Sequence, residues 1–596
     1  KHLNMLKLHK TIVPAFLLLA VGCGREEWPE TNDVRISWDR STFTEMTSVN
    51  VAGEGFAEEN LYYPRIKRLS DGTLLMSFEN DHFGWDVYVR RSEDGGKTWS
   101  DASLLVKTSP AVSTVGEDEK VYVNPDFIEL NDGRVLLAYQ WRYKKGYNDL
   151  PNTNENCGIE VMFSSDSGRT FSEPVEVYRG RCWEPAMLQL PSGEIQMYIT
   201  SSQELIDNMS APQTVVIRSF DGGKTWQGKE RCGIDDNEVI ARTVDSRSTY
   251  DGMPSGVWLD DNNGLAVPIE VWHGKWVVDQ TPVVVKTDVE TNWHRDLEAI
   301  RKTGGPEWPM KKQLNKDFYG YGPYSTKLGT GEMVVLSNGQ YKGQQGIWTF
   351  IGDKKADNFT NATTPFDGYW GSVDYIGDNK IFATGTVKYQ AEGKTRGMVR
   401  ALVGRLNYSK TLVKGNVEPV SVEKFDQDSN DCWFLGHISD SRIFTDFGWT
   451  DDNLVLISYL YDRKLTALTT ENSDAVELLL ARLGGPQYKI VVNGAGAYVV
   501  YVEDNFSWRK VSEGAADSVE VVGTLNDDSD EDLGFSAKLS VPWNILGGKP
   551  SAGEVLKAHL RHHYKAKTSE KPAWQIEDVE GENSDYPAEW LSLRLK

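Results

Sequence analysis

The apolar positions of the chain fall in short runs, each opened by a turn signal, as in hairpins of half-buried strands. The signal Leu-x-Asp/Ser/Thr-Gly, followed by an apolar run, stands at Leu69-Ser70-Asp71-Gly72, Leu130-Asn131-Asp132-Gly133, Leu190-Pro191-Ser192-Gly193 and Leu328-Gly329-Thr330-Gly331. Looser copies begin at Leu259 and Tyr375. A spacing of about 60 residues suits one four-stranded blade with long loops. The expected fold is therefore all-β: a six-bladed β-propeller over residues 33–412. The alternating segment Val34 to Phe43 is expected to supply the strand that closes the ring and removes its exposed edges.

A second repeat, S-x-D-x-G-x-T-W/F, stands at Ser92 to Trp99, Ser164 to Phe171 and Ser219 to Trp226. These Asp-boxes read as hairpin turns in which Asp and Ser side chains bond the turn backbone and Gly takes a positive φ. Their role is structural, on outer turns away from chemistry.

Beyond about residue 412 the Asp-boxes stop. Strand-like runs follow at Asn453 to Tyr461, Ala475 to Leu480, Tyr488 to Val492, Tyr498 to Val502, Phe535 to Val541 and Val555 to His559. No helix-period pattern of comparable strength appears, so residues 413–596 are expected to form a β-sandwich.

At 596 residues the chain exceeds what one core usually serves. A net charge of -23 opposes the counterion release that drives nucleic-acid binding, so no nucleic-acid partner is expected. Among its aromatic residues are 20 Trp and 25 Tyr, rings of the kind that stack on sugars, although most of them serve cores. The cysteines Cys157, Cys182, Cys232 and Cys432 lack the paired spacing of a zinc site, and their disulfide pairing stays open. His559, His562 and His563 lie close together without further matching ligands, and no metal or cofactor is expected.

The first residues read as an address. A basic flank at Lys7, His9 and Lys10 precedes an apolar run, Thr11 to Val21, too short to span a bilayer. The run ends in Ala20-Val21-Gly22-Cys23, which resembles the lipobox of bacterial lipoproteins, with Cys23 acylated after cleavage. Residues 1–23 are thus expected to be a signal peptide and 24–32 a tether. The resemblance implies a secreted outer-membrane or cell-surface lipoprotein of a Gram-negative bacterium, touching the membrane only through its lipid.

A hairpin starts and finishes at one end, so residues just before each repeat start share one rim of the ring. Arg65, Asp126, Glu184, Glu270 and Tyr324 come from different blades and are expected to converge there. Breaking a glycosidic bond needs an acid to protonate the leaving oxygen and a carboxylate to attack or to activate water. Glu184 and Glu270 are the best pair. Glu184 lies between Trp183 and Pro185, apolar neighbours expected to raise its pKa as an acid requires.

Tyr63-Pro64-Arg65, Trp183-Glu184-Pro185, Asp251-Gly252-Met253-Pro254 with Glu270 after it, and Gly322-Pro323-Tyr324 resemble successive motifs of glycoside hydrolase family 93. Members of that family are exo-acting arabinanases on the sialidase-type propeller, and the resemblance covers about residues 60 to 340. It implies Glu184 and Glu270 as the two catalytic glutamates; the apolar flanks of Glu184 favour it as acid/base and Glu270 as nucleophile, an order that sequence leaves open. Tyr324 would be a functional tyrosine, with Arg65, Asp126, Trp183 and Asp251 around the substrate. The implied reaction retains configuration and releases short arabinose units from chain ends.

Sialidases are the first alternative, resembled at Arg65, in the Asp-boxes and at Tyr324-Ser325; Asp81 is placed to be their acid but reads more readily as a loop carboxylate. Pro254 and Glu270 stand, however, where the sialidase pattern has a Glu and a substrate-clamping Arg. A non-catalytic glycan-binding propeller is the second alternative.

In the last third, Trp449 to Leu454, Tyr461-Asp462-Arg463, Ser473 to Leu478, Val541-Pro542-Trp543 and Glu589 to Leu593 resemble a family 9 carbohydrate-binding module. Trp508, Trp574 and Trp590 are its candidate sugar platforms. The partner expected for the whole chain is an oligo- or polysaccharide.

Overall fold

The computed structural model describes residues 27–28, 32–80, 85–202, 212–227, 239–241, 249–273, 280–294, 313–429, 431–436, 441–470, 472–566, 573–577 and 586–596. Cys23, the expected signal peptide, most of the tether, Asp81 and Cys232 lie outside the described residues. Among the described residues no helix is long and apolar enough to cross a membrane.

The chain is all-β, as its pattern of turns and apolar runs predicts. Its first two thirds form, among the described residues, six antiparallel sheets of four or five strands in chain order, with a two-stranded ribbon of Val49–Asn50 and Ala57–Glu58 beside them. Their first strands are Tyr62–Arg68, Gly116–Glu129 (after a short edge strand), Cys182–Gln189, Thr249–Gly252 continued by Val257–Leu259, Phe318–Lys327 and Tyr369–Gly377. The sixth sheet is completed by Val34–Met46, which pairs antiparallel with Lys394–Tyr408. That strand is the expected closing strand, and it ties the start of the propeller to its end.

Apolar residues fill the space between each sheet and the next. Leu75 packs with Leu137, Leu136 with Met197, Val216 with Val267, Ala266 with Val335, Leu336 with Val373, and Phe382 with Met76. The last of these clusters joins the sixth sheet to the first, so the ring closes. Hairpin turns between first and second strands repeat one geometry: the N–H groups of Leu69, Leu130, Leu190 and Leu328 bond the carbonyls of Thr73, Arg134, Glu194 and Glu332. The glycine of each turn has a positive φ, as at Gly72 and Gly133. The Asp-boxes behave as expected. Asp166 accepts bonds from Ser164 and from both the backbone and the side chain of Thr170, which holds its carboxyl down at about 2.

A feature of the mouth escaped the sequence reading. Five of the six first strands carry a proline at one height: Pro64, Pro125, Pro185, Pro254 and Pro323, with Gly371 in the sixth. Proline has no N–H to give the ladder, and the strands bulge or break there. The residue before it often takes a left-handed conformation: φ is 53° at Tyr63 and at Asn124, 47° at Met253, 63° at Gly322 and 51° at Trp370.

The ladder bonds lost at these bulges are replaced from the neighbouring sheet. On each second strand one polar residue pairs across from the start of the bulge: Glu79, Gln140, Thr200, Glu270, Asn338 and Thr386. Each reaches the backbone of the next sheet. Asn124 N–H donates to Glu79 at 2.6 Å, Met253 N–H to Thr200 at 2.9 Å and Gly322 N–H to Glu270 at 2.7 Å. Trp370 N–H donates to Asn338 and Tyr63 N–H to Thr386, both at 3.0 Å, while Gln140 donates to the Cys182 carbonyl. Six polar side chains thus stitch six sheets.

The last third forms two sheets around one core, including Leu456, Leu478, Ile490, Leu539 and Leu593. Lys410–Leu412 belongs to this part, pairing parallel with Leu591–Leu595. The sandwich rests on the propeller through Arg35, whose Nη1 lies 3.0 Å from His559 Nδ1, and through paired bonds between Asn407 and the Phe434 backbone. Trp590 corrects an expectation: it is 1% exposed, packed on Leu479, Ala481 and Trp28 and stacked against His559, so it offers no face to a sugar. Trp508 and Trp574 keep partial exposure.

Candidate active site

The proline bulges decide what faces the mouth. Residues on the N-terminal side of the proline position line a cavity of about 160 Å³: Tyr63 from the first sheet, Val123 and Asn124 from the second, Trp183 and Glu184 from the third, and Trp370 from the sixth. Glu79 joins them from the second strand of the first sheet.

Glu184 is 8% exposed, and Thr200 Oγ1 donates to its Oε2 at 2.9 Å. Burial pushes its carboxyl up to about 8, and the charge of Glu270 adds to the rise, against the Thr200 bond and the more distant Arg65 and Arg142. Glu270 stands within the second strand of the fourth sheet, Gly264–His273, opposite Gly252. Part of its side chain reaches solvent, but protein surrounds the carboxyl and burial pushes it up to about 7, against the bond from Gly322 N–H. Two carboxyl groups far apart in sequence thus sit within each other's field, with Glu184 lining the cavity and Glu270 not among the described residues that line it. Tyr250 lies beside both: burial, then the charges of Glu184 and Glu270, raise its phenol well above the ordinary value.

The register of the residues after the proline assembles a layer beneath the mouth. Tyr324 donates to Asp126 Oδ1 at 2.7 Å, and Met187 N–H reaches Asp126 Oδ2 at 3.3 Å. Burial raises the pKa of Asp126, against Lys67 and Arg65 nearby. Arg65 is 3% exposed, its guanidinium 3.6 Å from the Tyr63 ring centroid and 4.9 Å from that of Tyr324. Its Nη1 donates to the carbonyls of Pro64, Trp370 and Gly371. The expected clamp on a sugar is therefore corrected to an internal tie, because the cation is anchored under Tyr63 by backbone carbonyls of two sheets. Asp251, expected near substrate, is fully buried, its N–H on the Pro212 carbonyl and its own carbonyl taken by Thr214. It belongs to the joint between the third and fourth sheets and does not line the cavity.

Trp183 does line the cavity, held edge-on to Tyr147 at 5.6 Å and backed by the Arg142 guanidinium at 4.7 Å. Such backing fixes an indole for stacking on a sugar. Sequence reasoning missed Tyr63, Glu79, Asn124, Thr200, Tyr250 and Trp370. The proline repeat carries the signal for two of these, since Tyr63 and Asn124 precede a proline at the same height as Glu184 does, and Trp370 precedes the glycine that stands there in the sixth sheet. Among the described residues no group of three or more His, Cys, Asp or Glu side chains is arranged to hold a metal ion.

No family model matches the chain. It is 24% identical over 220 residues to a sialidase of Micromonospora viridifaciens, covering 33% of each protein. It is 27% identical over 122 residues to a sialidase of Clostridium perfringens, and 24% identical over 155 residues to one of Bacteroides fragilis. These matches cover 19% and 24% of this chain, and 31% and 28% of the relatives, so the chain spans about a third of the curated relatives it matches. Among solved structures it is similar to an alpha-L-arabinanase of Penicillium chrysogenum complexed with arabinobiose, with 18% identity and a TM-score of 0.39 over 60% of this chain and 98% of that one. A mutant sialidase of Streptococcus pneumoniae gives 12% identity and a TM-score of 0.40 over 60% and 70%. A protein of unknown function from Dyadobacter fermentans gives 14% and 0.42 over 61% and 99%.

Proposed function

We propose that this chain is an exo-acting, retaining glycoside hydrolase for which Glu184 is the acid/base and Glu270 the nucleophile. The observation that carries this reading is the pair itself: the carboxyls of Glu184 and Glu270 lie within each other's field, one pushed up to about 8 and the other to about 7. Near neutrality Glu184 keeps its proton and Glu270 is the first of the two to ionise. Glu184 gives that proton to the leaving glycosidic oxygen as the Glu270 carboxylate attacks the anomeric carbon. Glu184, now ionised, takes a proton from a water whose oxygen attacks the anomeric carbon, breaking the bond to Glu270 and returning its carboxylate, so the sugar leaves with its configuration retained.

A short cavity favours a chain end over a chain interior. Its lining favours a neutral sugar: among the described residues that line it, Glu79 and Glu184 are carboxylic and none is a cation. A sugar acid would meet repulsion there instead of the paired donors that recognise a carboxylate. With the resemblance to family 93, this points to terminal arabinose units. Sialidase action is the second reading, supported by the sequence similarity to curated sialidases.

Two further parts belong to the proposal. The C-terminal sandwich holds carbohydrate near the propeller, with Trp508 and Trp574 as the exposed rings, and Cys23 anchors the chain to a membrane through lipid.

The decisive test is incubation of the wild type and Glu184→Gln with arabinan, sialyllactose and a panel of aryl glycosides. Release of arabinose units by the wild type alone supports the reading. Release of sialic acid with none from arabinan replaces it by the second.

A further inference from the structure

We propose that Trp370 and Trp183 hold the terminal sugar ring between two indoles, and that Trp370 makes the site one for a neutral sugar. The inference rests on the glycosidase reading above and gives a role to a residue that reading does not use.

The two indoles come from the sixth and third sheets, which stand across a ring of six, and both line the cavity that Glu184 lines. Each is only half-buried. Their neighbours fix them from behind. Trp183 is held by the Tyr147 ring and the Arg142 guanidinium. Trp370 has the Tyr369 ring edge-on at 4.9 Å and the Tyr63 ring tilted at 6.4 Å, and its N–H is tied to Asn338 Oδ1 at 3.0 Å. Its Cδ1 packs over Gly322, 3.5 Å from where a Cβ would stand, and the N–H of that glycine holds Glu270. A sugar resting on Trp370 therefore lies between the cavity of the acid and the anchor of the nucleophile.

The conformation of Trp370 is the independent observation. Its φ is 51°, in the left-handed region that bulky residues rarely adopt. At the same height the other strands place Tyr63, Asn124, Met253 and Gly322 in that region. Asn and Gly enter it readily, while Tyr63 and Met253 offset the strain by burial, at 4% and 6% exposed. Trp370 has neither property. The bulge explains the backbone but not the choice of a large ring left half in solvent, and strain of this kind persists at ligand clamps.

An indole face is electron-rich, so it attracts the weakly positive C–H groups of a sugar ring and repels an anion. A neutral ring gains on both sides. An acidic sugar brings its carboxylate against the same faces and is disfavoured.

The test uses the full chain with nitrophenyl α-L-arabinofuranoside. Trp370→Leu fills space without a π-face, and Trp370→Phe restores one; both keep a Cβ at the left-handed position, and thermal melts compare their folds. Trp370→Leu is expected to raise KM about 3- to 10-fold while kcat stays within about twofold, and Trp370→Phe to keep KM within about twofold. Trp183→Leu should cost about as much, and the double variant less than the product of the two losses, because both rings grip one sugar. An unmoved KM in Trp370→Leu, a fall in kcat and melting shared by Leu and Phe, or independent losses in the double variant would overturn the proposal. Should Trp370→Leu not fold, proton spectra of arabinobiose with the wild type decide: ring C–H signals moved upfield by the indoles uphold the clamp, and unmoved signals overturn it. If the wild type hydrolyses no glycoside, the glycosidase reading fails by itself, and the clamp is judged by calorimetric binding. Arabinobiose bound by the wild type and Trp370→Phe, and at least about threefold more weakly by Trp370→Leu, upholds it. Equal binding by all three, no binding, or a preference for N-acetylneuraminic acid overturns it.

Discussion

Tyr324 and Asp126 meet across the centre of the ring: the phenol of the fifth sheet donates to the buried carboxylate of the second at 2.7 Å. The bond commits the hydroxyl hydrogen of Tyr324, and burial followed by the Asp126 charge raises its phenol well above the ordinary value. A tyrosine so placed is a poor nucleophile.

Tyr324→Phe is accordingly expected to act first on stability. It leaves the Asp126 carboxylate without its donor, and urea denaturation should show a loss of about 1–3 kcal/mol. Activity should fall by about 10- to 100-fold, whereas Glu270→Gln should cost at least about 1,000-fold in kcat. A double-mutant cycle with Asp126→Asn checks the stability part. A larger kinetic loss at Tyr324 than at Glu270 would move the nucleophile to the tyrosine and with it the reaction class.

The two glutamates set the pH profile. The nucleophile must be ionised and the acid protonated, so kcat/KM should follow a narrow bell with its maximum between about 7 and about 8. Because the groups share a field, the limbs report apparent values of the pair. Glu184→Gln removes the alkaline limb, and on aryl glycosides with acidic leaving groups, which need no proton, the variant should keep most of its kcat/KM while kcat falls because the second step has lost its base. Initial rates from about pH 5 to about pH 10 on two leaving groups test this.

Much of the fold was legible because hairpin turns and Asp-boxes use short-range chemistry that repeats. Leu69, Leu130, Leu190 and Leu328 announce four sheets, and the register counted back from them reaches Arg65, Asp126 and Tyr324, which do meet. The same count misjudged which residues face the sugar. Strict strand alternation fails at the prolines, where the chain bulges and the preceding residue turns left-handed, so Tyr63 and Asn124 line the cavity and Arg65 lies beneath it. Glu79 and Thr200 were hidden for another reason. Their roles come from pairing with a neighbouring sheet, at separations of 45 and 53 residues, which no local pattern encodes. Trp590 was misread because a buried indole and an exposed one look alike in sequence.

Thr200 offers a finer probe of Glu184. Its hydroxyl has one hydrogen, given to Glu184 Oε2 at 2.9 Å, while its oxygen accepts Met253 N–H. That bond favours the ionised carboxyl and so holds the pKa of Glu184 below where burial alone would put it. Thr200→Val should therefore move the alkaline limb of kcat/KM to higher pH and leave the acid limb in place. A shift of the alkaline limb to lower pH would contradict the assignment of Glu184 as the acid. Thr200→Ser, which keeps the hydroxyl, should restore the wild-type limb.

The same pKa shifts make stability fall with rising pH. For Glu184 and Glu270 the folded-state pKa stands above the unfolded value of about 4.5, so the folded chain binds these protons more tightly than the unfolded one. Their contribution is most favourable below about 4.5 and is lost as pH climbs through about 7 and about 8. Glu184→Gln has no proton to lose and still offers Thr200 an acceptor. It should therefore be more stable than the wild type at about pH 9, by on the order of 2–4 kcal/mol, and nearly equal to it at about pH 5. Chemical denaturation of both proteins at the two pH values measures the difference directly. An equal gain at both values would mean that the substitution relieves packing rather than charge, and the raised pKa that makes Glu184 an acid would lose its support.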